Sequence, residues 1–421
     1  MGINIKKDKQ IWKFCFYGFF KNLKFFEPYL IVYLLSMGLN YIDIGGLIAL
    51  KEIIIYIFEI PSGVIADIYG KKKELVMCFI FYIISFILFF FGKGIFIISI
   101  GMIFYGLGEA FRSGTHKAMI LEYLDVKGWT KHKSLVYGRT RSFSLLGSAI
   151  SALLSIVFIL NMPSMKWIFL LSIVPYVLDM ILIISYPREL DRHGKCEFNI
   201  IFLIKESIVK LRYSLCHKEI RQVIVGSSIY TGVMDVIKDY IQPILKAMIL
   251  LTFVGNSESE GDIYLKISLG LIYFVFNIFS SVGSRNAYRL NKFLKSENLL
   301  NIYFVVTAIV FLILSFGIKL NSYTLIILCY FVIFILKNTR KPFMLDVLGE
   351  LVEKDSRASV LSVNSQLKSL VVIVLAPVMG FIAEYLQIEV LFIVCALMMM
   401  LCIRVKTYKN IFSRKEMDKD V

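Results

Sequence analysis

Four groups of ionisable residues lie inside long apolar runs of this chain. Lys21, Lys24 and Glu27 stand at i, i+3 and i+6 and are followed by Pro28. Glu109, Arg112 and His116 stand at i, i+3 and i+7, and Asp235, Lys238, Asp239 and Gln242 at i, i+3, i+4 and i+7. Lys337, Asn338, Arg340 and Lys341 crowd toward the end of a further run. On a helix each of the first three sets falls along one stripe. A charge at mid-bilayer depth costs roughly 2.5–3.5 kcal/mol on insertion scales, so it persists where it faces a polar cavity or a partner. Lys24, Arg112 and Lys238 are suited to anionic groups of a ligand. Glu109, Asp235 and Asp239, with Glu27, are carboxylates of the kind that load and release protons in a closed cavity. His116 has an imidazole that titrates near pH ~6.5 when unperturbed. The competing reading is internal neutralisation, of Glu109 by Arg112 and of Lys238 by Asp235 or Asp239. Lys337, Arg340 and Lys341 have their own bland alternative, snorkelling to an interface.

The elements that carry these stripes are membrane helices. The composition is 58% hydrophobic and 19% charged, with a mean hydropathy of +0.73, against about 45–50% apolar for globular domains. Apolar runs recur at the ~20-residue length that crosses a bilayer. Short polar punctuation separates spans near 11–38, 41–66, 74–92, 95–123, 138–160, 166–187, 219–250, 263–284, 298–318, 321–345, 357–384 and 387–407. The fold class expected is an all-α membrane protein with twelve transmembrane helices. Pro28 should free a carbonyl and kink the first of them. That span lacks a small-residue cleavage site and is too long for a signal peptide, so it reads as a retained helix.

The distribution of charge gives the orientation. The net charge is +16, yet the basic residues sit in short loops and form no aromatic-basic groove, which argues against nucleic acid. Loops near 67–73, 124–137, 188–218, 285–297 and 346–356 hold most of the Lys and Arg, and both termini fall on their side. By the positive-inside rule that side is cytoplasmic, in a multi-pass protein of the cell membrane. The seven cysteines and four histidines show no metal or disulfide spacing. There is no nucleophile motif and no phosphate loop, so neither an enzyme nor an ATP-driven pump is expected, and no cofactor or metal. The longest connection divides the chain into an N-terminal six-helix bundle (1–187), a cytoplasmic linker (188–218) and a C-terminal six-helix bundle (219–407), with a tail at 408–421. In the linker Ile201, Ile204, Ile208, Leu211 and Leu215 recur at helical spacing, the pattern of an interfacial amphipathic helix.

The stretch from Gly63 to Leu75 supplies a motif. Gly63, Asp67, Gly70, Lys71 and Lys72 match G-x-x-x-D-R-x-G-R-R/K between the second and third spans. Gly-Leu-Gly-Glu-Ala-Phe-Arg-Ser-Gly-Thr at 106–115 looks like a glycine-rich fourth helix. With the two-times-six layout, the chain resembles the major facilitator superfamily, including its drug-efflux-like bacterial members. It departs from the family pattern at Ile68 and at Met102, where an arginine is usual in each case. Around Gly147 the fifth span lacks a Gly-Pro signature, and the second-half copy of the loop, Gly283 to Lys295, keeps only Arg289.

The resemblance implies that helices 1, 4, 7 and 10 line the substrate cavity, and these are the four spans that carry the charged groups. It implies that Gly63, Asp67, Gly70 and Lys71 form a gating element, with Asp67 facing the helix N-terminus near Ser356 to Ser359. Glu59 and Glu122 are expected to brace that loop. Asp179 and Lys51 with Glu52 are left without a defined role, while Asn277, Gln366 and Lys368 read as cavity rim or helix contacts. The function implied is secondary active transport of a polar or charged small organic solute by alternating access, proton-coupled, by a monomer in the lipid bilayer. Substrate contacts are expected from Lys24, Glu27, Arg112, His116, Asp235, Lys238 and Gln242, and proton coupling from Glu109, Asp235 and Asp239. Efflux of drugs or toxic metabolites is the alternative, and a non-transporting sensor or scaffold a third.

Overall fold

The computed structural model describes residues 7–187, 190, 191, 214, 216–252, 258–286, 290, 294–352 and 357–402. The described residues are almost entirely helical. In chain order they form α1 (Lys9–Lys21), a 3-10 turn (Glu27–Tyr29), α2 (Leu30–Ser36), α3 (Tyr41–Tyr69), α4 (Lys71–Phe91), α5 (Ile95–Arg112) and α6 (Thr115–Val126). Then come a 3-10 turn (Thr130–His132), α7 (Lys133–Asn161), α8 (Trp167–Ile184), α9 (Lys218–Ile237), a 3-10 turn (Lys238–Tyr240) and α10 (Ile241–Thr252). The chain continues through α11 (Glu258–Asn286), α12 (Ser296–Lys319), α13 (Tyr323–Leu351), α14 (Arg357–Tyr385) and α15 (Ile388–Cys402).

Among the described residues, 8 helices are long and apolar enough to cross a membrane. Large apolar side chains stand on the outside of the structure, Phe96 at 75% exposure and Phe91 at 67%. In water such faces would drive association; against lipid chains they are at home. The chain is a multi-pass membrane protein.

Two compact units hold these helices. One comprises the described residues within Met1–Leu203 and Leu245–Ile278, the other those within Ile204–Ile244 and Phe279–Val421. The division expected from sequence ran through the 188–218 connection alone. In the structure Leu245–Ile278 sits with the first unit, where the Tyr29 hydroxyl donates to the Lys266 carbonyl at 2.8 Å. In the first unit α4 packs on α5 and α8, α3 on α5, and α1 on α7. Its interior is aromatic: Tyr82, Phe86, Tyr176 and Phe169 are fully buried. In the second unit α9 packs on α14, and α12 packs on α13 and α15.

Local sequence explains several helix ends. Asp8 caps α1 by accepting from the backbone N–H of Gln10 and Ile11, both at 2.9 Å. Asn40 and Asp43 form a reciprocal capping box at the start of α3. Gly70 turns α3 into α4 at φ 103°, a backbone conformation open to glycine and strained for other residues. The interfacial helix expected at 201–215 and the tail at 408–421 lie outside the described residues, apart from Ser214.

Candidate functional site

Three of the expected spans are interrupted, and each interruption falls on a charged stripe. The first span breaks between α1 and α2, at Lys21, Lys24 and Glu27; the fourth between α5 and α6, just after Glu109 and Arg112; the seventh between α9 and α10, at Lys238 and Asp239. Inside a membrane a broken helix exposes backbone groups that water cannot satisfy, so such breaks survive where protein partners or a polar cavity take them up.

The first break is sealed almost completely. A helix leaves its last four carbonyls without internal partners, and those of α1 all find donors. Asn22 donates its side-chain amide to the Gly18 carbonyl at 2.6 Å and its backbone N–H to Phe19 at 3.1 Å. Leu23 N–H reaches the Phe20 carbonyl at 3.0 Å, and the Tyr176 hydroxyl the Lys21 carbonyl at 3.3 Å. The second break turns on Gly114, at φ 85°. There Ser62 donates to the Ala110 carbonyl at 3.1 Å, Ser113 to the Glu59 carboxylate at 3.0 Å, and Thr115 to the Glu74 carboxylate at 2.7 Å.

These two breaks bring Lys24 and Arg112 onto one carboxylate. Glu109 accepts an ion-paired hydrogen bond from Arg112, one turn along α5, and lies 3.6 Å from the Lys24 ammonium. Two phenols complete the group. The Tyr105 hydroxyl accepts from Lys24 at 3.1 Å and the Tyr82 hydroxyl from the Arg112 Nε at 3.3 Å. These three charged side chains keep between 17 and 27% of their surface accessible, enough for a solute to touch. The phenols were missed in the sequence. The available signal was Tyr105, which stands four residues before Glu109 and so on the same helix face.

The second unit holds a cluster of the same composition. Asp235, near the end of α9, takes Lys337 of α13 at 2.7 Å and Lys368 of α14 at 3.6 Å. Lys238 pairs with the adjacent Asp239 at 3.4 Å. Lys337 is therefore an internal partner and not a snorkelling lysine. Gln242 is fully buried in α10. Arg340 is buried between aromatic rings, 4.3 Å from the Tyr230 centroid and 4.9 Å from Phe304, with a 3.4 Å hydrogen bond to the Ser227 hydroxyl.

His116 lies apart from the Glu109 group. Its ring stacks on Tyr17 with centroids 3.5 Å apart, stands edge-on to Phe14, and brings Nε2 to 3.3 Å from the Tyr186 hydroxyl. Glu27 opens the first 3-10 turn. Of the expected gating residues, Gly63 lies within α3 and Gly70 makes the turn, while Lys71 reaches Glu122 of α6 at 2.8 Å. Lys72 binds the Tyr186 carbonyl through Nζ at 3.0 Å and Asp191 through its backbone N–H at 3.1 Å. The Asp67 side chain and its expected partner near Ser356 to Ser359 lie outside what the structure describes.

Comparison with known proteins supplies the family. The family model described as Major Facilitator Superfamily matches residues 13–197. The "Uncharacterized MFS-type transporter YxaM" of Bacillus subtilis (strain 168) is 25% identical over 383 residues, covering 89% of each chain. Among solved structures, the nucleoside transporter NupG superposes with a TM-score of 0.72 at 10% identity, over 94% of this chain and 98% of that one. A POT family transporter in complex with 5-aminolevulinic acid gives a TM-score of 0.74 at 13% identity, over 96% of both chains. At those identities the solved structures speak for the fold alone. The family model over residues 13–197, the relative aligned over most of the chain and the membrane-helical fold agree in supporting a transporter of the major facilitator superfamily, and not an enzyme.

Proposed function

We propose that this chain moves a polar, charged small organic solute by alternating access, with proton coupling and with both termini in the cytoplasm. The observation that carries the reading is the coincidence of helix breaks with charge clusters. Breaks cost backbone hydrogen bonds and intramembrane charges cost solvation, so neither is retained together on three spans without a use. Discontinuous helices are where transporters place their binding groups. In the first unit the solute-binding set is Lys24, Arg112 and Glu109, with Tyr82 and Tyr105 and with Glu27 beside them. In the second it is Asp235, Lys238, Asp239, Lys337 and Lys368, with Gln242 adjoining. His116 serves packing in this reading. Lys24, Arg112 and the second-unit lysines are the contacts for an anionic group of the solute. Clusters meant for greasy cations would have little need of two bases in the one unit and three in the other.

A thermal-stability screen of the purified protein against amino acids, organic acids, sugars, nucleosides and lipophilic drugs tests the substrate class, because a bound ligand stabilises in proportion to occupancy. Stabilisation by a polar anionic or zwitterionic solute is expected. Uptake of that solute into proteoliposomes should then fall at least tenfold in Arg112→Ala and Asp235→Asn. Stabilisation by lipophilic drugs alone, or full rates with unchanged pH dependence in both variants, would overturn the proposal.

A further inference from the structure

One ionisable group of the first unit takes part in neither charged cluster. Asp179 of α8 has 0% exposure, and neither carboxyl oxygen has a hydrogen-bond partner. Glu109 and Asp235 are each held by two bases within ion-pairing distance. Those two carboxylates are compensated as anions. A bare carboxylate at Asp179 would not be, and burying an uncompensated charge is costly enough that such a group takes up a proton instead.

The surroundings of Asp179 contain few groups that could stand in for a counter-ion. Tyr176, one turn earlier on α8, donates its hydroxyl to the carbonyl of Lys21, the last residue of α1. Asp179 therefore lies on the helix that packs along the final turns of α1, whose last residue is Lys21. From α1 also come Tyr17, whose hydroxyl is likewise buried without a partner, and Cys15. Tyr186, just beyond α8, meets the same helix, its ring centroid 5.4 Å from that of Phe14. The neighbouring α4 contributes Cys78 and Tyr82, α6 the buried His116, and α7 carries Arg139 and Arg141 in its first three turns.

We infer that Asp179 is the proton-binding carboxyl of this transporter, placed beside the break that follows α1. The inference rests on the transport reading for its use, though not for its test. With a proton bound, Asp179 is neutral and Lys21 is left to its own surroundings. When the proton leaves to water, the new carboxylate attracts Lys21 across the α1–α8 contact. Lys21 ends α1, and three residues later Lys24 holds Glu109, so the charge change acts on the segment that carries a substrate-binding base. Proton occupancy and solute binding are thereby linked through one short non-helical stretch.

Infrared difference spectroscopy of the full-length protein in detergent reads this without a substrate. The probe is the carbonyl stretch of a protonated carboxylic acid, followed on a pH step in H2O and in D2O. Wild type minus Asp179→Asn should contain that band, with its deuterium shift, while Glu109→Gln and Asp235→Asn leave it in place. Persistence of the full band in folded Asp179→Asn would overturn the inference and leave the transport proposal standing. Should Asp179→Asn fail to fold, Asp179→Glu decides: a displaced band supports the assignment and an unmoved one rejects it. Loss of uptake in Arg112→Ala without change in the band bears on the transport proposal alone.

Discussion

The two units build the same small object from different materials. In the first, one carboxylate, Glu109, is shared by Lys24 and Arg112; in the second, Asp235 is shared by Lys337 and Lys368. Half of the first arrangement is local, since Arg112 stands one helical turn from Glu109. In the second, the two bases reach Asp235 of α9 from separate helices, α13 and α14. The first is also bracketed by two phenols, Tyr82 and Tyr105. The difference teaches that a stripe identifies a helix that carries intramembrane charge and leaves its pairing open. A base one turn away is used when the helix runs unbroken to it, as α5 does to Arg112. Where the helix passes into a 3-10 turn, as at Lys238, bases from other helices reach the carboxylate.

The sharpest way to break the comparison is to remove the shared carboxylates. Glu109→Gln leaves two bases without their anion, and removal of one partner of a buried pair costs about 3–5 kcal/mol, reduced here by partial exposure to roughly 2–4 kcal/mol. A marked fall in melting temperature is expected in detergent thermal unfolding. Asp235→Asn should approach the same loss, since its geometry matches. If it is neutral while Glu109→Gln is not, the two clusters are not equivalent. The next effect down sharpens the contrast between turn and break. Gly70→Ala and Gly114→Ala force a side chain onto φ 103° and 85°, at about 1–3 kcal/mol each, visible as a smaller melting shift. Asp239→Asn should cost less than Asp235→Asn, because its pair with Lys238 joins sequence neighbours whereas Asp235 holds two bases from other helices; equal losses would show that the second cluster includes both acids. Lys71→Ala breaks a part-exposed pair with Glu122 and should cost only about 0.2–1 kcal/mol. A loss larger than that of Gly70→Ala would mean that the lysine, and not the turn, fixes α4 to α6.

A good part of the molecule was legible beforehand. The α3 and α4 boundaries follow from apolar length, from Asn40 and Asp43, and from Gly70. Bracing of the loop by Glu122 was expected and is present at Lys71, and Glu59 does a different job, holding Ser113 at the second break. The breaks themselves were harder. Pro28 announced a kink, but it lies seven residues beyond the end of α1, and what ends α1 is Asn22 folding back on its own helix. At the fourth span nothing in Arg-Ser-Gly-Thr requires Gly114 to take a positive φ; Ser62, Glu59 and Glu74 from other helices make that conformation affordable. The isolation of the Asp179 carboxyl was not legible at all, because isolation is a property of neighbours.

The sequence by itself determined that this protein lives in a membrane and which of its helices carry costly charge. Both are sums over contiguous residues: apolar length fixes the span, and an ionisable residue inside it declares its price wherever the helix later packs. Only the tertiary structure decided which carboxylate meets which base, where the helices break, and that Asp179 stands without a donor. Those outcomes depend on residues far apart in the chain, 133 positions for Asp235 and Lys368, and a one-dimensional pattern carries no distance between them.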